Sequence, residues 1–503
     1  MIMLRRLLDL PVLVILMGIC CLSMVLPAAY AVVLGQFNVA RAFFYSGSVL
    51  LVLTAMIAIA TATHRPSTGL QSLLATVVGA YVILPLILAV PLHQAIATLS
   101  FRAAWFEMLS GFTATGASVF DNPTDVADPI HFWRALVGWF GGYHALVAVT
   151  TVLAPAGLGG VEMFEGRTNG RTGVAGQAAR LADPAKRMFH FATMLFPVYA
   201  GITLLLWVAL LIAGDTALVG LCHAMGTMST SGISPLGGLG DASSGIVGEA
   251  LIFICLAFAL TRRLWPVSGM TDPSIKLWRD PELGLAFGIV ALVSAILVIR
   301  HSALSPDDDS FRTVYLVLHG LWGALFTSLS FLTTTGFQSG SWPDLGAPGL
   351  FLLGLAMIGG GVATTAGGIK LLRVYALLRH GERELERIVH PNSIGGHGPV
   401  ARRLRREGAY LSWIFFMVFG LSIVGITAAL TLTGIDFQAA LILGIACLST
   451  TGQLALVVGD TPISYSDLGT GPMAILGLAM ILGRLEILAV VVLLVPKGWS
   501  SQA

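Results

Sequence analysis

Charge is what this chain most lacks. Asp, Glu, Lys and Arg make up 11 % of its 503 residues, where a soluble domain carries about 25 %. Apolar residues reach 56 %, too many for water to be the main solvent of the folded surface, so lipid takes that role. The formal net charge of +2 is too small to point to a nucleic-acid partner. Cysteine is scarce as well. Cys20, Cys21, Cys222, Cys255 and Cys447 all lie in apolar segments without a C-x-x-C pair, so they read as small buried apolar residues rather than disulfides or metal ligands. The chain has no H-E-x-x-H cluster, no G-x-S-x-G elbow and no G-x-G-x-x-G following a strand. Those absences argue against an enzyme and against a nucleotide or other cofactor bound by this chain.

Long apolar runs are what is there. A membrane-crossing helix takes about 20 such residues, and ten stretches qualify: 11–34, 47–63, 70–97, 131–155, 188–213, 246–265, 282–300, 347–378, 409–433 and 471–496. Arg5 and Arg6 precede the first, and Ala29-Tyr30-Ala31 resembles a cleavage site, but the run is long enough to span and is expected to be retained as a helix. Four shorter stretches, near 103–116, 217–232, 314–336 and 437–452, end in Ser, Thr and Gly and are expected to enter and leave on the same side. With the N-terminus inside, 21 of the 28 Lys and Arg fall on the inner face, five on the outer and two within spans, the bias that the positive-inside rule requires. Full crossings at the short stretches would destroy it. The outer loops hold aspartates such as Asp121, Asp215 and Asp241, whose summed field would concentrate cations.

The most informative feature is a tetrapeptide that recurs. Thr113-Ala114-Thr115-Gly116, Ser229-Thr230-Ser231-Gly232, Thr333-Thr334-Thr335-Gly336 and Ser449-Thr450-Thr451-Gly452 share the pattern [ST]-x-[ST]-G, with glycines 116, 104 and 116 residues apart. Each copy closes a short apolar stretch between two spans, so the repeating unit is span, short helix, motif, span. Small residues that pack membrane helices explain one copy, not the recurrence. Irregular backbone at membrane depth survives where it lines a watery cavity or is buried in protein. Carbonyl oxygens from four such loops can replace the hydration shell of a cation. Glycine lets a carbonyl turn inward, the neighbouring hydroxyls coordinate or brace, and each short helix aims its negative dipole end at the same place. No motif contains an acidic residue, so selectivity would rest on carbonyls.

Two further segments carry chemistry. Ile358 to Lys370 contains Gly359, Gly360, Gly361, Thr364, Thr365, Gly367 and Gly368, a composition that cannot sustain an uninterrupted helix. A broken helix there could block a pore and move. Gly483-Arg484-Leu485-Glu486 puts charge inside an apolar span, where it is costly and a functional candidate. Arg484 would either repel cations on the axis or serve as a structural ion pair or carbonyl donor.

At these residues the chain resembles the Trk/Ktr/HKT superfamily of potassium transporters, in particular its bacterial potassium-uptake branch, over nearly its whole length. The resemblance implies an all-α integral membrane fold of four pseudo-symmetric M1–P-loop–M2 units around a central pore, plus two extra N-terminal transmembrane helices. The implied divisions are 1–66 for the extra helices, 67–160, 161–268, 269–380 and 409–503 for pore units one to four, and 381–408 for a basic cytoplasmic linker. It implies K⁺ as the transported ion, bound at Ala114, Thr115, Gly116, Thr230, Ser231, Gly232, Thr334, Thr335, Gly336, Thr450, Thr451 and Gly452, with Thr113, Ser229, Thr333 and Ser449 as supporting hydroxyls. Gly360, Gly361, Thr364, Thr365, Gly367, Gly368, Lys370 and Arg484 would form the gate. Some sodium-selective relatives carry serine at the position of Gly116, so glycine here implies K⁺ over Na⁺. A homodimer in the bacterial inner membrane is also implied. So is a TrkA-like cytosolic partner that binds nucleotide and docks on the loops after 155, 265 and 378. Coupling to H⁺ or Na⁺ by alternating access remains the alternative to a pore. Two departures stand out: Gly141-Gly142-Tyr143-His144 is less glycine-rich than in relatives, and serine occupies position 231. His144 and His223 are weighed as proton sites and read more readily as packing residues.

Overall fold

The computed structural model describes residues 11–62, 70–153, 184–266, 277, 280–304, 310–340, 349–390, 406–459, 461–487 and 490. The described residues are helical or irregular, with no strand among them. Two helical passages come first. Val12–Ser23 and Val25–Val33 form one span bent at Met24, and Phe37–Thr61 returns. The second exposes Val49, Val52, Met56 and Ile59, an apolar surface suited only to lipid.

Four similar units follow. Their outer helices are Leu70–Ala95, Pro184–Ile212, Pro281–Leu304 and Arg406–Thr431. Their pore helices are Phe101–Phe112, Ala217–Ser229, Ser310–Leu332 and Phe437–Leu448. Local chemistry starts two of the pore helices. The Ser100 side chain accepts from the Ala103 N–H, and Asp436 accepts from the Gln438 N–H, satisfying donors that a helix start leaves free. The inner helices differ. The first, Asp128–Ala148, continues as a π-turn to Leu153 and is almost wholly buried. The second is interrupted at Leu256 and ends at Leu260, short of the expected 265. The third stops at Ile358 and resumes at Leu371. The fourth is interrupted after Leu485, where Glu486 takes a positive φ of 61°, inside the stretch expected to be one span; Ile487 and Val490 are helical again.

Among the described residues, seven helices are long and apolar enough to cross a membrane. The inner helices of units two to four fall short because each is interrupted along its length, at Leu256, after Ile358 and after Leu485. This is the all-α membrane architecture of four pseudo-symmetric units with two preceding helices. The loop expected after 155 and most of the one after 265 lie outside the described residues, as do 391–405 of the linker expected at 381–408, whose start continues helix Leu371–Val389.

Candidate functional site

Each pore helix ends in the same turn. The third motif residue donates its N–H back to the helix: Thr115 to Ser110, Ser231 to Gly226, Thr335 to Ser330 and Thr451 to Ala446, at 2.8–2.9 Å. The second residue is left-handed in every copy, with φ of 55° at Ala114, 56° at Thr230, 59° at Thr334 and 55° at Thr450. Such angles are uncommon outside glycine. Holding four of them marks a backbone that its surroundings over-determine. In three copies the first and third hydroxyls also bond, Thr113 with Thr115 at 2.8 Å, Ser229 with Ser231 at 2.9 Å and Thr333 with Thr335 at 3.1 Å.

Tertiary structure closes these turns into a ring. A Cβ placed on Gly116 would lie 2.0 Å from the Ser231 carbonyl oxygen, and one on Gly232 would lie 2.0 Å from that of Thr335. One on Gly452 would lie 2.3 Å from the Ala117 nitrogen, and one on Gly336 would meet the Gln453 side chain at 2.6 Å. Thus the first turn touches the second, the second the third, the third the fourth, and the fourth the first. The twelve candidate ion ligands and four supporting hydroxyls therefore come together.

The copies are not equal. Gly116, Gly232 and Gly336 have φ of 73°, 61° and 80°; Gly452 is outside the left-handed region. Its N–H donates to the Thr115 carbonyl at 2.6 Å, and its carbonyl accepts from the Tyr465 hydroxyl at 2.9 Å. After Gly452 the chain coils at once into the short helix Leu454–Val457.

The chain leaving each turn is held by buried polar groups. Glu107 accepts from the Val119 N–H at 2.8 Å and from Arg134 Nε at 2.7 Å. His223 Nε2 pairs with Ser234 Oγ at 2.9 Å. Glu249 accepts from Trp322 Nε1 at 2.6 Å and from the Ser339 hydroxyl and the Gly340 N–H at 2.7 Å. Glu107 and Glu249 are acidic residues within apolar stretches, a signal that could have singled them out. His144 stacks on Phe112 and meets Tyr81 edge-on. Gly141 and Gly142 are the point of contact in unit one: a Cβ would lie 2.0 Å from the Phe112 carbonyl oxygen or 2.7 Å from Ser229 Cα. Gly483 faces the Leu448 carbonyl at 2.1 Å by the same measure, repeating in unit four what Gly141 does in unit one.

The glycine-rich segment 359–370 lies directly beneath the ring. The Thr230 hydroxyl donates to the Thr365 carbonyl at 2.8 Å, and the Gly367 N–H donates to Thr334 Oγ1 at 2.7 Å. A Cβ on Gly367 would sit 2.2 Å from Thr450 Oγ1. Three motif threonines at left-handed positions therefore cap this loop; the equivalent in unit one, Ala114, has no hydroxyl to offer. The loop is tied to the second inner helix by the Gly361 N–H and the Thr364 hydroxyl, which donate to the Ala259 carbonyl at 2.9 and 3.0 Å. It is tied to unit three by the Val362 N–H, which donates to Glu282 at 2.9 Å. Lys370 Nζ donates to the Ala366 carbonyl. Arg484 Nη1 donates to the Thr365 carbonyl at 2.6 Å, the same oxygen that Thr230 uses. Glu486 pairs with Arg373 at 2.7 Å.

Three comparisons bear on this arrangement. The family described as TrkH, a cation transport protein, matches residues 290–502. The chain is 30 % identical over 447 residues to the Trk system potassium uptake protein TrkH of Halomonas elongata, covering 85 % of this chain and 84 % of that protein. It is 29 % identical over 423 residues to the protein of the same name from Escherichia coli, covering 80 % of each. Its fold is similar to that of the potassium transporter TrkH from Vibrio parahaemolyticus, with a TM-score of 0.76 and 24 % identity over 99 % of both chains.

Proposed function

Because this chain belongs to the TrkH family of cation transport proteins, and so to potassium uptake rather than to catalysis, we propose that K⁺ enters through the ring of four turns and that segment 359–370 gates it. The observation that carries this reading is the ring itself. Four backbone turns of one sequence pattern meet at membrane depth and are braced from outside by buried polar groups. Ala114, Thr115, Gly116, Thr230, Ser231, Gly232, Thr334, Thr335, Gly336, Thr450, Thr451 and Gly452 are the candidate ligands, whose carbonyl oxygens would take over from water around the ion. Gly360, Gly361, Thr364, Thr365, Gly367, Gly368 and Lys370 form the obstruction below. Arg484 acts with them, because its guanidinium holds the Thr365 carbonyl and places a positive charge under the ring. Opening requires the loop to release the bonds from Thr230 and to Thr334. That is a small set of contacts for a two-state element to exchange.

The same reading places the chain in the bacterial inner membrane with its N-terminus inside. It divides the chain at about residues 66, 160, 268, 380 and 408, assembles it as a homodimer, and assigns gating to a TrkA-like cytosolic subunit that docks near the end of helix Leu371–Val389. Uptake of K⁺, Rb⁺ and Na⁺ into liposomes containing the purified protein, with and without a pH gradient, tests the core of it. K⁺ and Rb⁺ should enter well ahead of Na⁺ without a gradient; strict dependence on the gradient would favour coupled transport. Gly116→Ser should erode the preference for K⁺ over Na⁺, since a side chain there meets the Ser231 carbonyl. An unchanged preference would remove the ring from the ion's path.

A further inference from the structure

The residue after each motif glycine is Ala117, Ile233 and Phe337 in three turns, and Gln453 in the fourth. The polar exception does not point away. Gln453 Nε2 donates to the carbonyl oxygens of Gly232 at 3.0 Å, Ser231 at 3.2 Å and Gly116 at 3.4 Å. Its head is enclosed by the left-handed glycines. A Cβ on Gly116 or Gly232 would lie 2.4 or 2.6 Å from Nε2, and one on Gly336 would lie 2.6 Å from Oε1. Three turns thus lack side chains where this one enters. An amide N–H₂ presents partial positive charge to converging carbonyl oxygens, as a cation does, and it is the only end of the amide that can face them.

We propose that the Gln453 amide is a displaceable occupant of the ring that competes with the cation for the carbonyls of Gly116, Ser231 and Gly232, and so sets the ion concentration at which transport half-saturates. This rests on the ring being the ion's path. The amide's hold is weak by construction. Oε1 is buried without a hydrogen-bond partner, a cost that disfavours this rotamer relative to one in which the oxygen reaches water or an ion. Gln453 is itself only partly buried, so the side chain has solvent to swing towards. An entering cation therefore replaces two N–H donors shared among three carbonyl oxygens at 3.0–3.4 Å and frees an amide oxygen to turn outward.

The test is Rb⁺ uptake into liposomes over a range of concentrations for the wild type, Gln453→Ala and Gln453→Met. Methionine keeps the length and bulk of the side chain and removes its donors. Both variants should half-saturate at roughly fivefold to tenfold lower Rb⁺, the equivalent of about one net hydrogen bond, with a smaller change in maximal rate. A half-saturation within twofold of wild type in the methionine variant overturns the competition, as does a rise in either variant, which would make the amide a ligand rather than a rival. Monodisperse elution in detergent checks folding, and the methionine variant carries the test where alanine loosens the turn. Gly116→Ser separates the failures. Unaltered K⁺/Na⁺ preference there removes the ring as the path, whereas altered preference with wild-type saturation in both Gln453 variants removes only the role of Gln453.

Discussion

The first three motif turns and the fourth share a sequence pattern and part ways at its last residue. Up to the third position their backbone hydrogen bonds repeat, because each is the C-terminal end of a pore helix whose last carbonyl partners are dictated by helix geometry. Beyond it, Gly116, Gly232 and Gly336 remain left-handed and lead into extended chain, while Gly452 turns into a helix and is held by Thr115 on one side and Tyr465 on the other. A motif repeated in sequence guarantees a repeated local turn. It does not guarantee that the chain leaves that turn in the same direction, since the exit is set by whatever packs outside. The fourth turn is the one whose exit residue reaches back into the ring.

Paired glycine substitutions break this comparison most severely. Gly452→Ala should abolish transport and lower stability by about 3 kcal/mol or more, as overpacking against fixed backbone does. The new methyl meets the Ala117 nitrogen and Cα, neither of which can move alone. Gly336→Ala should cost only about 1–2 kcal/mol, from the left-handed backbone, because the atoms it meets belong to the flexible Gln453 side chain. Thermal melts in detergent, read alongside Rb⁺ uptake, rank the two, and the reverse order would refute the geometry. Arg484→Ala comes next. It removes a buried cation from under the ring and one of two donors to the Thr365 carbonyl, and should raise initial flux several-fold; unaltered flux would assign the arginine to packing. Tyr465→Phe is the smallest. It deletes one hydroxyl from the Gly452 carbonyl and should cost about 1 kcal/mol with modest slowing of uptake. A large loss would show that the fourth turn depends on that single bond.

Much of the architecture was legible beforehand because it follows from composition and period. Long apolar runs predict spans by length, and the four Ser/Thr/Gly tetrapeptides predict four turns. The glycine-rich run at 359–368 predicts a break that occurs between Ile358 and Leu371. Less legible were interruptions without a breaker. Nothing in Ile254-Cys255-Leu256-Ala257 announces the break at Leu256, and Arg484-Leu485-Glu486 reads as continuous helix. Beside the first, the Ala259 carbonyl accepts from the Gly361 N–H and the Thr364 hydroxyl of loop 359–370; at the second, Arg373 holds the Glu486 carboxylate. The partners of Arg484 and Glu486 illustrate the limit. Their proximity in sequence suggests each other, yet one bonds the loop and the other a helix more than a hundred residues away.

By itself the sequence determined that this protein lives in lipid, that it is built from four like units, and that each unit ends a short helix in a hydroxyl-rich glycine turn. Those properties depend on local composition and spacing, which no distant contact alters. Only the tertiary structure decided that the turns form one closed ring, that Thr230, Thr334 and Thr450 face the loop beneath while Ala114 cannot bond it, and that Gln453 fills the space left by three glycines. These are relations between segments from 33 to 337 residues apart, and side-chain packing around a shared axis is what selects them.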